Sequence, residues 1–332
     1  MTREAAGFDW RPSAPWENLR RRAVLLSRLR RFFDERGFLE VETPALSAES
    51  VVDRHLDPLR VVLFDDPRTP DHGMERWLQT SPEFAMKRLL AAGATAIYQV
   101  ARAFRGGERG PRHNSEFTLV EWYRVGDGYE EGMRLLDELS ACLLQRGAAE
   151  RLSYREAFTR HAGFDPFTLD TPRLAKWIKS RSPAVPEYSE EDRDSWLNYA
   201  LAEWVEPRLG CDCPVILYDY PASQAALARV RARDGEPAVA ERFELYVDGV
   251  ELANGYHELL DIAAFRARTA TNRQARTDDG KPSLPASPRF EAAMEHGLPA
   301  CAGVALGFDR LVMVAVGARD LSAVLAFPDE RA

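Results

Sequence analysis

Residues Phe243–Ala253 carry two glutamates that a tight turn would bring together. With Asp248-Gly249 as a two-residue turn, Val247 faces Val250 and Tyr246 faces Glu251, so Glu244 lies diagonally from Glu251 on the same face. Like charges this close repel. Two readings fit them: the solvated polar face of an edge hairpin, or a divalent-cation site, since Mg²⁺ takes one or two carboxylates together with substrate phosphates. Asn254-Gly255-Tyr256-His257-Glu258 follows at once and adds a further carboxylate. An acidic pocket suits a cationic substrate, because each charge-assisted hydrogen bond contributes roughly 1.5–3 kcal/mol.

Two other segments could grip a nucleotide. Phe104-Arg105 precedes a glycine-containing loop, and Arg112-His113-Asn114-Ser115-Glu116-Phe117 follows it. A guanidinium at a strand end beside such a loop can hold phosphate oxygens bidentately, or can simply belong to a basic surface hairpin. Gly303-Val304-Ala305-Leu306-Gly307-Phe308-Asp309-Arg310 puts small residues on a strand and an arginine at the start of a helix. Small residues there permit close approach of a flat ligand, or tight strand–helix packing. The chain lacks both G-x-G-x-x-G after a strand and G-x-x-x-x-G-K-[ST], so any ATP site must use another solution.

The elements that must position these groups read as follows. Asn18–Arg36 is an amphipathic helix, with Leu25, Leu29 and Phe33 on one stripe and Leu26 and Phe32 beside it. Gly37 ends it, and Phe38–Glu42 is a strand stopped by Thr43-Pro44. Ser81-Pro82-Glu83 opens a second helix, with Ser81 as N-cap. Ala96–Phe104 and Glu116–Tyr123 form a long-looped antiparallel hairpin. Residues 127–240 read as a mostly helical insertion, 278–288 as a mobile loop, and Gly303–Val316 as a strand running into an apolar helix. Hairpins with helices outside imply α+β with a central antiparallel sheet.

Composition sets the outer bounds. The 332 residues are 45% hydrophobic and 29% charged, as in a soluble globular protein. No apolar stretch reaches the roughly 18 residues a membrane span needs, and no signal peptide precedes Trp10, so a cytoplasmic location is expected. Four cysteines without a C-x-x-C pair read as reduced thiols. A net charge of −8 argues against a large nucleic-acid partner, since phosphate neutralisation dominates such affinity.

Taken in order, these segments resemble the signature motifs of class II aminoacyl-tRNA synthetases. Helix 18–36 with Phe38–Pro44 resembles motif 1, Ala101–Arg124 motif 2 and Gly303–Arg310 motif 3, a likeness running through 18–125 and 240–327. Within that class, Ser81–Arg88 and Glu251–Leu259 resemble the lysyl enzymes. Motif 1 begins within the first twenty residues, so no anticodon-binding domain is expected. The chain is therefore most similar to the truncated lysyl-synthetase-like family that attaches (R)-β-lysine to a lysine of elongation factor P. Glu116-Phe117-Thr118, Glu121-Trp122-Tyr123-Arg124, Pro221-Ala222-Ser223-Gln224, Gly303–Gly307 and Ala326-Phe327 all fit that family.

The resemblance implies one catalytic domain over 1–332, a homodimer, ATP as co-substrate, Mg²⁺, lysine or (R)-β-lysine, and elongation factor P rather than tRNA as acceptor. By the same likeness, Arg105 would bind the α-phosphate and the substrate carboxylate, while Phe117 and Arg310 would sandwich the adenine. Asn114, Glu108, Leu252 and Gly307 go with ATP, and Glu244 and Glu251 with Mg²⁺. Glu83 would take the substrate amino group, Glu258 and Tyr123 the distal ammonium, with Ser81, Asn254 and Ala305 beside them.

Two departures bear on that carry-over. Gly106-Gly107 stands where lysyl enzymes have Asn-Glu, which removes a hydrogen bond to adenine worth about 0.5–1.5 kcal/mol unless Glu108 or backbone replaces it. Ala305 stands where synthetases have Gly, and its methyl costs about 1–3 kcal/mol for a ligand needing that space, so it should sort lysine isomers. The competing readings are a small tRNA-charging synthetase and a non-catalytic paralogue, the latter favoured by Gly106-Gly107 alone.

Overall fold

A computed structural model of the chain describes residues 10–182, 185–186, 188–189 and 191–332. In chain order the elements are α1 (Trp16–Asp34), β1 (Leu39–Glu40), β2 (Leu46–Ser47), β3 (Arg60–Phe64), β4 (Gly73–Leu78), α2 (Glu83–Ala91), β5 (Ala96–Phe104) and β6 (Glu116–Val125). Then come α3 (Tyr129–Leu144), β7 (Glu150–Ser153), α4 (Tyr154–His161), α5 (Thr171–Lys179), α6 (Arg193–Ala200), β8 (Val215–Pro221) and β9 (Val230–Arg231). The chain closes with β10 (Val239–Val247), β11 (Val250–His257), α7 (Ile262–Asp278), α8 (Pro288–Gly297), β12 (Cys301–Gly307) and α9 (Phe308–Ala315).

The main sheet runs β1-β5-β6-β12-β11-β10-β8-β7, with β9 beside β10. Its centre is antiparallel, and its two outer pairings, β1 with β5 and β7 with β8, are parallel. The expected α+β architecture is therefore found. Side chains directly opposite across such a sheet share a face. One face presents Tyr98, Trp122, Val304 and Phe243, which α1, α3 and α9 cover as the principal core. Gly255, between Val304 and Phe243, has to lack a β-carbon because one would stand 2.4 Å from the Phe243 ring. The opposite face is left for chemistry.

The segment 127–240 divides between these layers. Helix α3 packs into the principal core, β7, β8 and β9 extend the sheet, and α4–α6 close a second core around Trp196, Tyr154 and Phe158. In α1 the buried stripe is Leu25, Leu29, Phe32 and Phe33, as the spacing indicated. A buried ion pair ties this helix to the other end of the chain. Arg22 meets Asp309 at 2.6 Å, and Asp309 also accepts the Thr118 N–H at 2.8 Å.

Three local expectations change. The strand expected over Phe38–Glu42 pairs only at Leu39–Glu40, because the sheet ends there. Helix α2 starts at Glu83 rather than Pro82, with the Ser81 hydroxyl accepting the Glu83 N–H at 3.1 Å. The expected mobile loop 278–288 is pinned along its length. Arg273 donates to the Leu284 and Pro285 carbonyls, Lys281 pairs with Asp57, and the Ser287 hydroxyl donates to the Ser50 carbonyl. Gly and Pro gave the segment its irregular backbone, while long-range contacts through Arg273 and through its own Lys281 and Ser287 supply the order.

Candidate functional site

The β10–β11 hairpin turns at Asp248-Gly249, both at positive φ (53° and 68°), the conformation a two-residue hairpin turn needs. Tyr246 then faces Glu251, as the spacing indicated. Beyond that pair the register slips: Leu245 faces Ala253, and Leu252 bulges out of the ladder. The bulge matters for chemistry. Residues three apart in a regular strand point to opposite faces, but the inserted residue returns Asn254 to the face of Glu251 and sets it opposite Glu244.

From there the functional face can be read row by row. Glu244, Asn254, Ala305 and Glu121 are successive neighbours across β10, β11, β12 and β6. Tyr256, Gly303 and Tyr123 form the next row. These rows floor a cavity of about 920 Å³. Every residue singled out from the sequence lines it: Ser81, Glu83, Arg105, Glu108, Asn114, Phe117, Tyr123, Glu244, Glu251, Leu252, Asn254, Glu258, Ala305, Gly307 and Arg310.

One end of the cavity is strongly acidic and deeply buried. Lys87 reaches Glu83 and Glu258 at 2.5 Å each. Glu121 accepts the Ser81 hydroxyl at 2.7 Å and the Tyr123 hydroxyl at 2.5 Å. Burial, then the charge of Glu83, pushes the Glu121 carboxyl up to about 7. Burial pushes Glu258 up to about 8, against the opposing pull of Lys87. Gly303 makes this arrangement possible, because a β-carbon there would stand 2.2 Å from Tyr123 Cε1 and 2.3 Å from Glu258 Oε1. The Asn254 amide nitrogen donates to the Tyr256 hydroxyl at 3.1 Å, while its buried carbonyl oxygen has no partner. That orphan acceptor, beside three carboxylates, suits an ammonium donor.

The other end is basic and aromatic. The Arg105 guanidinium lies 5.0 Å from the Phe117 ring and 3.7 Å from Glu108. Arg310 donates to the Arg112 carbonyl at 3.1 Å and the Glu251 carbonyl at 3.2 Å, and meets the His113 ring nitrogen at 2.7 Å. Both guanidinium groups are thus held in place yet border the cavity. Asn114 lines the cavity, but its amide is engaged by backbone, donating to the Glu116 carbonyl and accepting the Asp329 N–H. Leu252 has its side chain in the core, so only its backbone can serve a ligand. Gly107 has positive φ (80°) and open space around it, whereas the Gly106 N–H is taken by the Asp57 carbonyl at 2.7 Å.

Between the two ends stand Glu244, Glu251 and Glu206. Glu244 accepts from Arg242 at 2.5 Å and Tyr246 at 2.6 Å, and from Tyr220. Burial, then the Glu244 and Glu251 charges, pushes Glu206 up to about 7, and burial with Glu244 also raises Glu251. Among the described residues no three acidic, His or Cys groups converge as a complete metal set. The arrangement fits a cation whose remaining ligands come from elsewhere, with Glu251 the carboxylate that has capacity to spare.

Sequence reasoning passed over Glu121, Lys87, Tyr256 and Glu206 as site residues. The first was legible, since it alternates with Phe117 and Tyr123 along one strand. Lys87 lies four residues after Glu83, one helical turn along the same face. Tyr256 needed the bulge, and Glu206 lies in a segment with no periodic signal.

The family model for class II tRNA synthetases (D, K and N) matches residues 4–331. The elongation factor P–(R)-β-lysine ligase of Edwardsiella ictaluri is 46% identical over 324 residues, covering 98% of each chain. The ligase of that name from Yersinia enterocolitica is 46% identical over 327 residues, again covering 98% of each. That of Klebsiella pneumoniae strain 342 is 43% identical, covering 97% of this chain and 98% of its own.

Proposed function

The chain belongs to the class II tRNA synthetases of the D, K and N group, and on that premise we propose that it activates (R)-β-lysine, or lysine, with ATP and transfers it to a lysine side chain of elongation factor P. The observation that carries this reading is the shape of the charge in the cavity. A buried acidic end lies opposite a basic, aromatic end, as a diamino acid and a nucleotide triphosphate would require. The choice of acceptor follows the relatives' activity over nearly the whole chain.

In the first half-reaction a substrate carboxylate oxygen attacks the α-phosphorus, and the bond to pyrophosphate breaks. Arg105, 3.7 Å from Glu108 and stacked on Phe117, would neutralise charge on both the carboxylate and the α-phosphate. Phe117 and Arg310 would hold the adenine between a ring face and a guanidinium plane. Glu83 takes the substrate amino group, and Glu258 with Tyr123 takes the distal ammonium, while Asn254 accepts through its unpaired carbonyl. Ser81 and Ala305 bound the same pocket, and Leu252 and Gly307 offer backbone to ATP. Mg²⁺, when bound, would offset phosphate charge, with Glu251 as its carboxylate and Glu244 behind it. In the second half-reaction the acceptor amine attacks the activated carbonyl, AMP leaves, and the amine loses a proton. No residue of the chain needs to become covalently modified; positioning and charge are what it supplies.

We read residues 1–332 as one catalytic domain in which 127–240 widens the sheet. A homodimer is supported by apolar side chains left exposed at the surface. These are Leu39 on the sheet's edge strand, and Leu63 and Met74, which face each other across β3 and β4. Among the described residues no helix is long and apolar enough to cross a membrane. Exchange of label between pyrophosphate and ATP, dependent on a lysine isomer, tests activation directly. Absence of exchange with every isomer would remove the reading.

A further inference from the structure

The acidic end of the cavity has a charge count that its individual residues do not reveal. Glu83, Glu121 and Glu258 bring three carboxylates into one enclosed space, and Lys87 brings one ammonium, a formal −2 once all three carboxylates are ionised, the state that bound ammonium groups favour. Lys87 is 2% exposed and stands between Glu83 and Glu258, the two carboxylates assigned above to the two substrate nitrogens. Its ammonium also lies 5.8 Å from the Tyr123 ring centre. Among the described residues Glu121 has no cation of its own within ion-pair distance, only the hydroxyl donors Ser81 and Tyr123. Buried charge is tolerated where it is matched. A small molecule with two ammonium groups matches −2, and one with a single ammonium leaves a carboxylate uncompensated.

We propose that Lys87 is a positioning and specificity-determining residue for the diamino-acid substrate: it holds Glu83 and Glu258 in place and fixes the pocket at the charge that two ammonium groups neutralise. The proposal rests on the function proposed above. It differs from a purely structural role in one respect. If charge count is what Lys87 sets, removing its charge should be compensated by removing one carboxylate charge elsewhere in the cluster. Glu121→Gln does this with little change of shape, because the Ser81 hydroxyl can turn from donor to acceptor.

The test measures binding of L-lysine and (R)-β-lysine to the full chain by calorimetry, with pyrophosphate exchange in parallel. Lys87→Met is expected to raise the Kd for both isomers at least about tenfold, as expected when one member of a buried charge pair is removed. ATP affinity should move less than about threefold, and Lys87→Arg should stay nearer the wild type. The double variant Lys87→Met/Glu121→Gln should bind the diamino acids more tightly than Lys87→Met alone. A Kd for Lys87→Met within about twofold of wild type, or a double variant weaker than the single, would overturn the proposal. Should Lys87→Met fail to fold, Glu121→Gln alone decides. With a formal −1 it must narrow the preference for lysine over norleucine, and an unchanged preference overturns the charge rule. Wild-type binding without exchange would sink the proposed activation while leaving the charge count intact.

Discussion

At the level of single residues, the two ends of the cavity hold groups that should fail differently. Glu258 pairs with Lys87 and abuts Gly303, and it forms no ion pair with either arginine of the nucleotide end. Glu258→Ala should therefore raise the KM for lysine isomers more than about tenfold and leave ATP binding within about threefold. Equal losses in both would contradict its assignment. Ala305 stands between Asn254 and Glu121 on the cavity floor. Removing its methyl in Ala305→Gly should shift preference toward α-lysine by up to about a hundredfold, given about 1–3 kcal/mol for an ill-fitting methyl. Competition between the two isomers in one exchange assay reads this, and an unchanged ratio removes Ala305 from selectivity. The raised carboxyls add a pH dependence. Glu121 and Glu258, at about 7 and about 8, keep protons in the empty folded protein that the unfolded chain has already lost. Stability of the empty protein should therefore fall as pH rises through that range. Ammonium binding favours the ionised carboxylates, so the rise in Tm produced by L-lysine should be larger near about pH 8 than near about pH 6. Thermal unfolding with and without ligand at the two values checks the sign.

At the scale of the element, the site depends on two irregularities and one buried pair. The bulge at Leu252 was not legible, because a two-residue turn with regular pairing explains the Glu244–Glu251 spacing equally well. Its consequence, Asn254 opposite Glu244, appears only once strands are paired. Gly303 was legible as a small residue in a strand but not as the reason Tyr123 and Glu258 can meet. Gly303→Ala should abolish lysine-dependent exchange while nucleotide binding persists, because the new methyl enters only the acidic end. The three motif-bearing segments were readable because each joins a periodic pattern to chemically distinctive residues. The pinned 278–288 segment was not, since its order comes from Arg273, Lys281 and Ser50 rather than from its own backbone signals. Asp309 shows how elements distant in sequence are locked. It joins α1 to β6 through Arg22 and the Thr118 N–H. Asp309→Ala leaves Arg22 without its carboxylate partner and should destabilise the fold by about 3–5 kcal/mol. Differential scanning calorimetry would show this as a clear fall in Tm, and a Tm unchanged from wild type would remove the pair from the account.

At the scale of the whole molecule, an overall charge of −8 coexists with a cavity that is acidic at one end and basic at the other. The net charge favours a basic or neutral protein acceptor over tRNA, and the exposed Leu39, Leu63 and Met74 favour pairing of two copies. Sedimentation of the wild type should give a dimer, and Leu63→Asp/Met74→Asp a monomer; a monomeric wild type would remove pairing through this surface. Where the activated amino acid goes can be read in a single transfer experiment. Labelled α-lysine and (R)-β-lysine are supplied with ATP and Mg²⁺ to the purified protein, with elongation factor P and tRNA offered in parallel. Label should appear on elongation factor P, more strongly with (R)-β-lysine, and not on tRNA. Label on tRNA alone would contradict the proposed function.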